Sequence, residues 1–415
     1  MNTASIDALH GEQEEVGPLA WLTENGALRC TITSDMRGYL SVLDQRLRAW
    51  QQCTPNPRPQ DYLKLKEDLA ASFGCLDVSE LSGSLGVELQ VLAQFVCGWY
   101  DLNFREVAHS GHGRLILMHP DTKIRNTWGK AVREGKLVGI AMTESGGGSN
   151  VRKLTCIGHK GADGTYLLTG TKQYISRIAE SEFFIVFFNS SPGVSVCAIV
   201  AAGAEGFSFE KMQARGLNGW SWGYLHFNEV KIPSDQVLSE PGRGLKMFEK
   251  HFNYYRPLVS ALVLGAAARA IVAAEQRLRG KFMAGDYSRL RDTALDSIAR
   301  CHANVTSGML LSIRAASEGA TGDEEASVLS SLAKVYGVET AILTIRSMLL
   351  LMGAESFTAE SKLGRLEQDV GAFLFADGLH DALTRSAGLN LVLKLNTSYD
   401  FNSRPVFSSE KDSSF

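Results

Sequence analysis

The sequence predicts a mainly α protein interrupted once by a β-domain. Three observations carry that reading. Apolar residues recur at three- and four-residue spacing over roughly residues 35–136. Short, glycine-punctuated runs of aliphatic and aromatic residues fill 137–240. Helical spacing then returns from 241 to 395.

The first 34 residues, beginning "MNTASIDALHGEQEEVG", read as an N-terminal extension and lack the basic and apolar regions of a secretory signal. "MRGYLSVLDQRLRAW" and "LGVELQVLAQFVCGWYDL" then predict an N-terminal helical domain. In the middle unit, "TYLLTG", "FFIVFF", "GVSVCAIV" and "GYLHFNEVKIP" have strand-like composition, so a small antiparallel β-domain is expected. Beyond it, Leu258, Leu262, Ala266, Ala270 and Ala274 stack on one face of a long helix. A second helix runs through Val328, Leu332, Val335, Val338, Ile342, Ile345 and Leu349. The alanine stripe implies close helix packing, as in a bundle. "EGATGDEE" reads as a connecting loop, and 396–415 as a loose polar tail.

With 45% hydrophobic residues, 21% charged residues and a net charge of −3, the chain has the composition of a soluble globular protein and no nucleic-acid footprint. "SMLLLMGA" and "ALVLGAAARAIVAA" read as too short to span a bilayer, or as interrupted by Arg269, so no membrane association is expected. Cys30, Cys53, Cys75, Cys97, Cys156, Cys197 and Cys301 are scattered, with no C-x-x-C pair. That pattern suits free thiols in a reducing cytoplasm rather than a metal or disulfide site.

Three stretches can carry chemistry. "GIAMTESGGGSN" (139–150) sets a Gly-rich turn before a serine hydroxyl, where backbone N–H groups can approach an anionic or heteroaromatic ligand. A plain surface turn reads the same way, and neither a Walker A loop nor a G-x-G-x-x-G fingerprint is present. "LTGTKQYISRIAES" offers an aromatic face, an apolar edge and a hydroxyl at Tyr174, Ile175 and Ser176; half-buried strand residues look alike. "FLFADGLHDALTRSAG" sets Asp377 and Gly378 in an apolar run, either as a turn or as a base in an apolar wall.

In order and spacing, "TESGGGSN", "GTKQYIS", "KMQARG" with "FNEVKIP", and "RPLVSALVLG" resemble the motifs of the acyl-CoA dehydrogenase family. The resemblance covers roughly residues 65–390. It implies an N-terminal helical domain, a middle β-domain and a C-terminal four-helix bundle, with FAD between β-domain and bundle. It further implies a homo-oligomer, dimer or tetramer, in which a neighbouring subunit completes the FAD site. By position, Thr143, Gly148 and Ser149 should line the flavin and thioester region, and Tyr174, Ile175 and Ser176 should pack on the isoalloxazine. Lys281 and Gly353 fall on positions that hold the rest of FAD, while Ser149, Tyr255 and Arg256 fall on the substrate side, Arg256 where the family contacts pantetheine.

"GAESFTAESKLGRLEQDVGAFLFADG" matches the family run that ends in the catalytic Glu, and Asp377 lands on that Glu. There the resemblance implies removal of the α-proton of an acyl thioester while hydride leaves the β-carbon for the flavin. A carboxylate in an apolar, water-poor pocket suits that task. Asp in place of Glu shortens the reach by about 1.3–1.5 Å. Some relatives put the base just before the Arg of the first bundle helix, but that position is Tyr255, a poor base at neutral pH.

Ser145 and Asn150 replace the Pro and Asp of the first loop, and Leu350 and Leu379 replace a Gln and a Thr. Lys281 stands for an Arg that grips the FAD pyrophosphate, and a lysine lacks the bidentate fork. FAD should therefore bind more weakly or be held differently. These departures suit a member that left fatty-acid oxidation for biosynthesis, with acyl or peptidyl carrier protein as an alternative to CoA and an electron-transfer flavoprotein as a candidate acceptor. Two other readings stay open. One is an oxidase or monooxygenase like nitroalkane oxidase, whose base is also Asp but whose Arg seven residues on is here Thr384, with Arg385 following. The other is a non-catalytic family member.

Overall fold

The computed structural model describes residues 16–73, 84–146, 153–286, 290–321, 326–358 and 360–395. The N-terminal unit comprises α1 (Pro18–Glu24), α2 (Gly26–Arg29), α3 (Ser34–Cys53), α4 (Pro59–Phe73), α5 (Ser84–Tyr100), α6 (Arg114–Leu117) and α7 (Thr122–Arg133). Thr33 caps α3 by accepting from the Met36 N–H at 3.3 Å, and Asp121 caps α7 through the Lys123 N–H at 2.8 Å. Helical structure starts earlier than expected. Trp21, Leu22 and Leu28, from the presumed extension, lie in the main core. Helices of four to seven residues are too short to show a period, which is why the sequence pattern missed them.

The middle unit holds β1 (Val138–Ala141), β2 (Ile157–Lys160), β3 (Tyr166–Ser176), β4 (Phe183–Ser191), β5 (Val194–Ala201), β6 (Phe207–Met212) and β7 (Trp222–Ile232). The sheet runs β1-β4-β2-β3-β7-β6, with β5 also paired to β4. It is mixed rather than antiparallel, because β1 and β2 both run parallel to β4. Turn chemistry accounts for the antiparallel hairpins: between β2 and β3, Gly161 N–H donates to Thr165 O at 2.8 Å and Gly164 takes φ +82°. The parallel pairs join strands distant in sequence and leave no local signature.

The C-terminal unit contains α8 (Gly244–Met283), α9 (Asp292–Thr321), α10 (Ala326–Met352), α11 (Lys362–Gly371) and α12 (His380–Leu395). Helices α8, α9 and α10 pack on one another, α12 lies on α10, and α5 runs along α8. The expected stripe Leu258, Leu262, Ala266, Ala270 and Ala274 is buried throughout. Two glycines let α5 and α8 touch backbone to backbone. A Cβ on Gly98 would meet Leu262 O at 1.7 Å, and one on Gly265 would meet Phe95 O at 2.0 Å. Helix α9 continues to Thr321, so the first half of the expected "EGATGDEE" loop is helical; 322–325 and the tail 396–415 lie outside the described residues. By length and apolarity alone, α8 and α10 could each cross a bilayer, contrary to the reading of their apolar runs. The apolar window of α8 is 89% buried in the protein, as befits a core helix.

Candidate functional site

Asp377 lies between a 3₁₀ turn (Ala372–Leu374) and α12. It takes φ +60° and Gly378 φ +116°, so the turn reading of this pair is right as far as it goes. A left-handed non-glycine residue is strained and persists where surrounding contacts hold it. Two long cations do so: Arg256 of α8 donates from Nε to Asp377 O at 2.9 Å, and Lys334 of α10 donates from Nζ to Gly378 O at 2.8 Å. Burial pushes Lys334 down to about 7, with the Asp377 charge opposing that shift. Arg256, expected on pantetheine, thus spends one donor on the backbone of the presumed base.

The carboxylate does not sit in an apolar wall. Its Oδ2 meets Arg105 Nη2 at 2.5 Å, with the two side chains 6% and 9% exposed. Oδ1 has no hydrogen-bond partner among the described residues. The Arg105 guanidinium also stacks 5.0 Å from the centre of the Tyr255 ring and 5.9 Å from that of Phe373. The chain around Asp377 is apolar, but the space its side chain enters belongs to the polar segment 102–106, a 3₁₀ turn distant in sequence.

Behind this pair lies a buried polar cluster. Glu106 Oε1 accepts from Tyr255 Oη at 2.8 Å and stands 3.3 Å from Arg177 Nη1 and 3.4 Å from His112 Nε2. Burial pushes the Glu106 carboxyl up, but the Arg177 and Arg105 charges, with the His112 ring beside it, outweigh this and hold it well below the usual range. Burial likewise lowers His112 to about 4 and His109 to about 3, so both are neutral near pH 7. It raises Tyr255 well above 10, so this residue is a neutral hydrogen-bond donor and no base. Sequence reasoning missed Arg105, Glu106, His112 and Arg177. The signal for the first three was "NFREVAHSGHG", a polar run with two histidines shortly after an apolar helix; Arg177 directly follows Ser176 in "LTGTKQYISRIAES".

Arg177 ties the cluster to the end of β3: it follows Ser176 directly and donates from Nη1 to Ser176 Oγ at 3.0 Å. A register shift between Lys172 and Ile175 accompanies Tyr174 at φ +58°, and the residue is 56% exposed. The same shift turns Ile175 inward, so its side chain packs in the sheet core and cannot lie on a ligand. Thr143 is exposed beside this strand end, its carbonyl accepting from Gln173 N–H at 2.9 Å. Gly148 and Ser149, with Asn150, lie outside the described residues. The root of their loop is anchored by Glu144, which accepts from Lys172 Nζ and Thr155 Oγ1, each at 2.6 Å. Burial raises the Glu144 carboxyl, and Lys172 and Thr155 more than offset this, holding it at about 2.

Lys281 and Gly353 form a second group. Lys281 lies in the last turn of α8, and Gly353, at φ +79°, opens the turn after α10; Arg277 and Glu355 pair between these segments. At 1.5 Å per residue, Lys281 is roughly 38 Å along α8 from Arg256. Thr143, Tyr174, Ser176, Arg256 and Asp377 therefore gather at one end of the bundle, and Lys281 and Gly353 at the other.

The family model of the acyl-CoA dehydrogenase middle domain matches residues 139–230, and that of the C-terminal domain matches 242–388, together more than half of the chain. The chain belongs to the acyl-CoA dehydrogenase family. Similar sequences include the probable acyl-CoA dehydrogenase fadE25 of Mycobacterium leprae (strain TN), 24% identical over 262 residues that cover 61% of this chain and 67% of that one. Glutaryl-CoA dehydrogenase of Desulfococcus multivorans is 25% identical over 252 residues, 58% of this chain and 63% of that one. These sequence matches span about two thirds of the relatives or slightly less.

Among solved structures of the fold, butyryl-CoA dehydrogenase from Megasphaera elsdenii superposes with a TM-score of 0.76 at 20% identity, covering 87% of this chain and 99% of that one. An FAD complex of PigA gives 0.75 at 16% identity, with 88% and 99% covered. For this acyl-CoA dehydrogenase family member, both likenesses speak to architecture: helical N- and C-terminal units around a mixed sheet.

Proposed function

We propose that this acyl-CoA dehydrogenase family member is an FAD-dependent oxidoreductase that desaturates an acyl thioester, with Asp377 as the base. The observation that carries this reading is the carboxylate of Asp377 clamped through Oδ2 by Arg105, with Oδ1 left over, on a backbone pinned by Arg256 and Lys334. The ring-binding half of a flavin site fits the structure: the exposed Tyr174 ring stands beside Ser176, which Arg177 and Glu106 join to the Arg105–Asp377 pair. FAD, when bound, supplies the hydride acceptor.

The protein's own part follows from its geometry. Arg105 fixes the carboxylate rotation, so that Oδ1 is the atom that takes the α-proton. The Asp377 N–H has no backbone acceptor among the described residues and can donate to the thioester oxygen, where negative charge develops. Arg256 and Lys334 steady the backbone that carries that N–H by binding the Asp377 and Gly378 carbonyls, which follow it in the chain. Because reacting atoms must approach to about 3–3.5 Å, the shorter Asp needs this fixed backbone more than a Glu would. Replacing Asp377 with Asn should abolish flavin reduction by thioester while leaving the protein folded. Reduction persisting at the wild-type rate would exclude Asp377 as the base.

The departures at Ser145, Asn150, Lys281 and Leu350 support a carrier-protein thioester over free acyl-CoA, with an electron-transfer flavoprotein as acceptor. The separation of the two cofactor groups along α8 supports a homo-oligomer, since one flavin dinucleotide reaches both only across two copies of the chain. Leu343, Leu350, Phe357 and Met283, 65–95% exposed around the α10 and α8 ends, give such an interface its apolar surface. One observation favours an oxidase instead. An Arg does sit on Asp377, as the nitroalkane-oxidase comparison asks, although it is Arg105 rather than a residue of α12. Oxygen consumption without an added acceptor separates these two readings.

A further inference from the structure

A second cleft, of about 1100 Å³, lies away from Asp377 between α6–α7, the β2–β3 hairpin and the first turns of α8. Arg114, Lys123, Lys160, Arg243, Lys246 and Lys250 line it, against three carboxylates, Asp121, Asp235 and Glu240. Asp121 is already engaged as the cap of α7. The balance is cationic, and the volume is that of an ordinary small-molecule site.

What sets this cleft apart from a solvated basic surface is one of its walls. His251 lines it and is 1% exposed, yet its Nδ1 has no hydrogen-bond partner among the described residues. The other ring nitrogen, Nε2, lies 3.0 Å from Nδ1 of His112, whose Nε2 faces the Glu106 carboxylate. The direction of this chain of bonds follows from charge. Glu106 is ionised and can only accept, so a neutral His112 donates to it from Nε2 and accepts at Nδ1. His251 must then donate from Nε2, which leaves its Nδ1 as a bare acceptor. Burial, with the neighbouring His112 ring and Arg114 charge, holds His251 well below its ordinary value, so it stays neutral. Arg114 adds a buried Nε without a hydrogen-bond partner among the described residues, its guanidinium 3.9 Å over the Tyr254 ring. A buried acceptor and a buried donor, both unspent, within a cationic rim describe a ligand with an anionic end and an N–H or O–H group.

We propose that this cleft binds a phosphate monoester of nucleotide size, its phosphate at Lys246 and Lys250 and a hydroxyl or amide proton donated to His251 Nδ1. The inference is distinct from the thioester reading, because none of the residues assigned to touch the phosphate ligand lies at Asp377, although His251 is oriented through His112 by the Glu106 cluster behind that pair. It is tested by calorimetric titration of the purified protein with AMP, ADP and inorganic phosphate. The expected result is saturable nucleotide binding, weaker binding of phosphate alone, and a loss of tenfold or more in the exposed double variant Lys246→Glu/Lys250→Glu. His251→Phe should bring nucleotide binding down to the level of inorganic phosphate. Three results would overturn it: no saturable binding of any probe, affinity unchanged in the folded double variant, or one-for-one displacement of the nucleotide by an acyl-CoA that the double variant still binds normally.

Discussion

The carboxylate of Asp377 was legible in the sequence as the residue in register with a family base, but its partner was not. Arg105 lies 272 positions away and carries no spacing signal. The pair yields a stability prediction, because removing one partner of a buried ion pair leaves an uncompensated charge and costs about 3–5 kcal/mol. Arg105→Met should therefore lower the melting temperature clearly in calorimetry, and Arg105→Lys should recover part of the loss. Lys334 yields a prediction in pH. Its value falls from 10.5 to about 7 on burial, so its charge beside the Asp377–Gly378 backbone disappears as pH rises through that point. Loss of this cation removes a counter-charge from the carboxylate and leaves it a better proton acceptor. Flavin reduction by thioester should thus accelerate as pH rises through about 7, and the rise should be absent from Lys334→Met in stopped-flow profiles. Because Lys334 holds a proton in the unfolded chain that it loses in the native one between about 7 and 10.5, its contribution also makes native stability rise with pH across that window.

Long helices announced themselves through three- and four-residue spacing, and the stripe on α8 is buried as read. What local patterns could not carry was pairing between distant segments: β1 and β2 beside β4 in parallel, α1 and α2 in the core, and Arg105 reaching α12's approach. The crossing of α5 on α8 is similarly invisible in a single sequence, since a glycine inside a helix looks only like a weak point. Structure gives Gly98 a purpose: its missing side chain is space filled by Leu262 O. Gly98→Ala should cost about 1–3 kcal/mol through overpacking, more if the helices cannot part. Gly26→Ala, whose added carbon meets nothing within 4 Å, should cost nothing measurable in the same denaturant titration.

For the molecule as a whole, composition pointed to a globular protein, and the family motifs to its three-part architecture. The segment 147–152 lies outside the described residues, so a flavin-lining role for Gly148 and Ser149 is an expectation from the sequence. Assembly links the two ends of the bundle. If a neighbouring copy completes the cofactor site, Leu350→Lys/Phe357→Lys should dissociate the oligomer in light-scattering chromatography and release flavin together with it. A flavin-loaded monomer would contradict that arrangement. The most direct test of the account as a whole is an anaerobic titration of the FAD-loaded protein with a panel of CoA and carrier-protein thioesters, run in parallel on wild type and Asp377→Asn. The account predicts that at least one thioester bleaches the flavin absorption bands of the wild type and leaves those of the variant oxidised. Equal bleaching in both, or none in the wild type with any thioester, would contradict it.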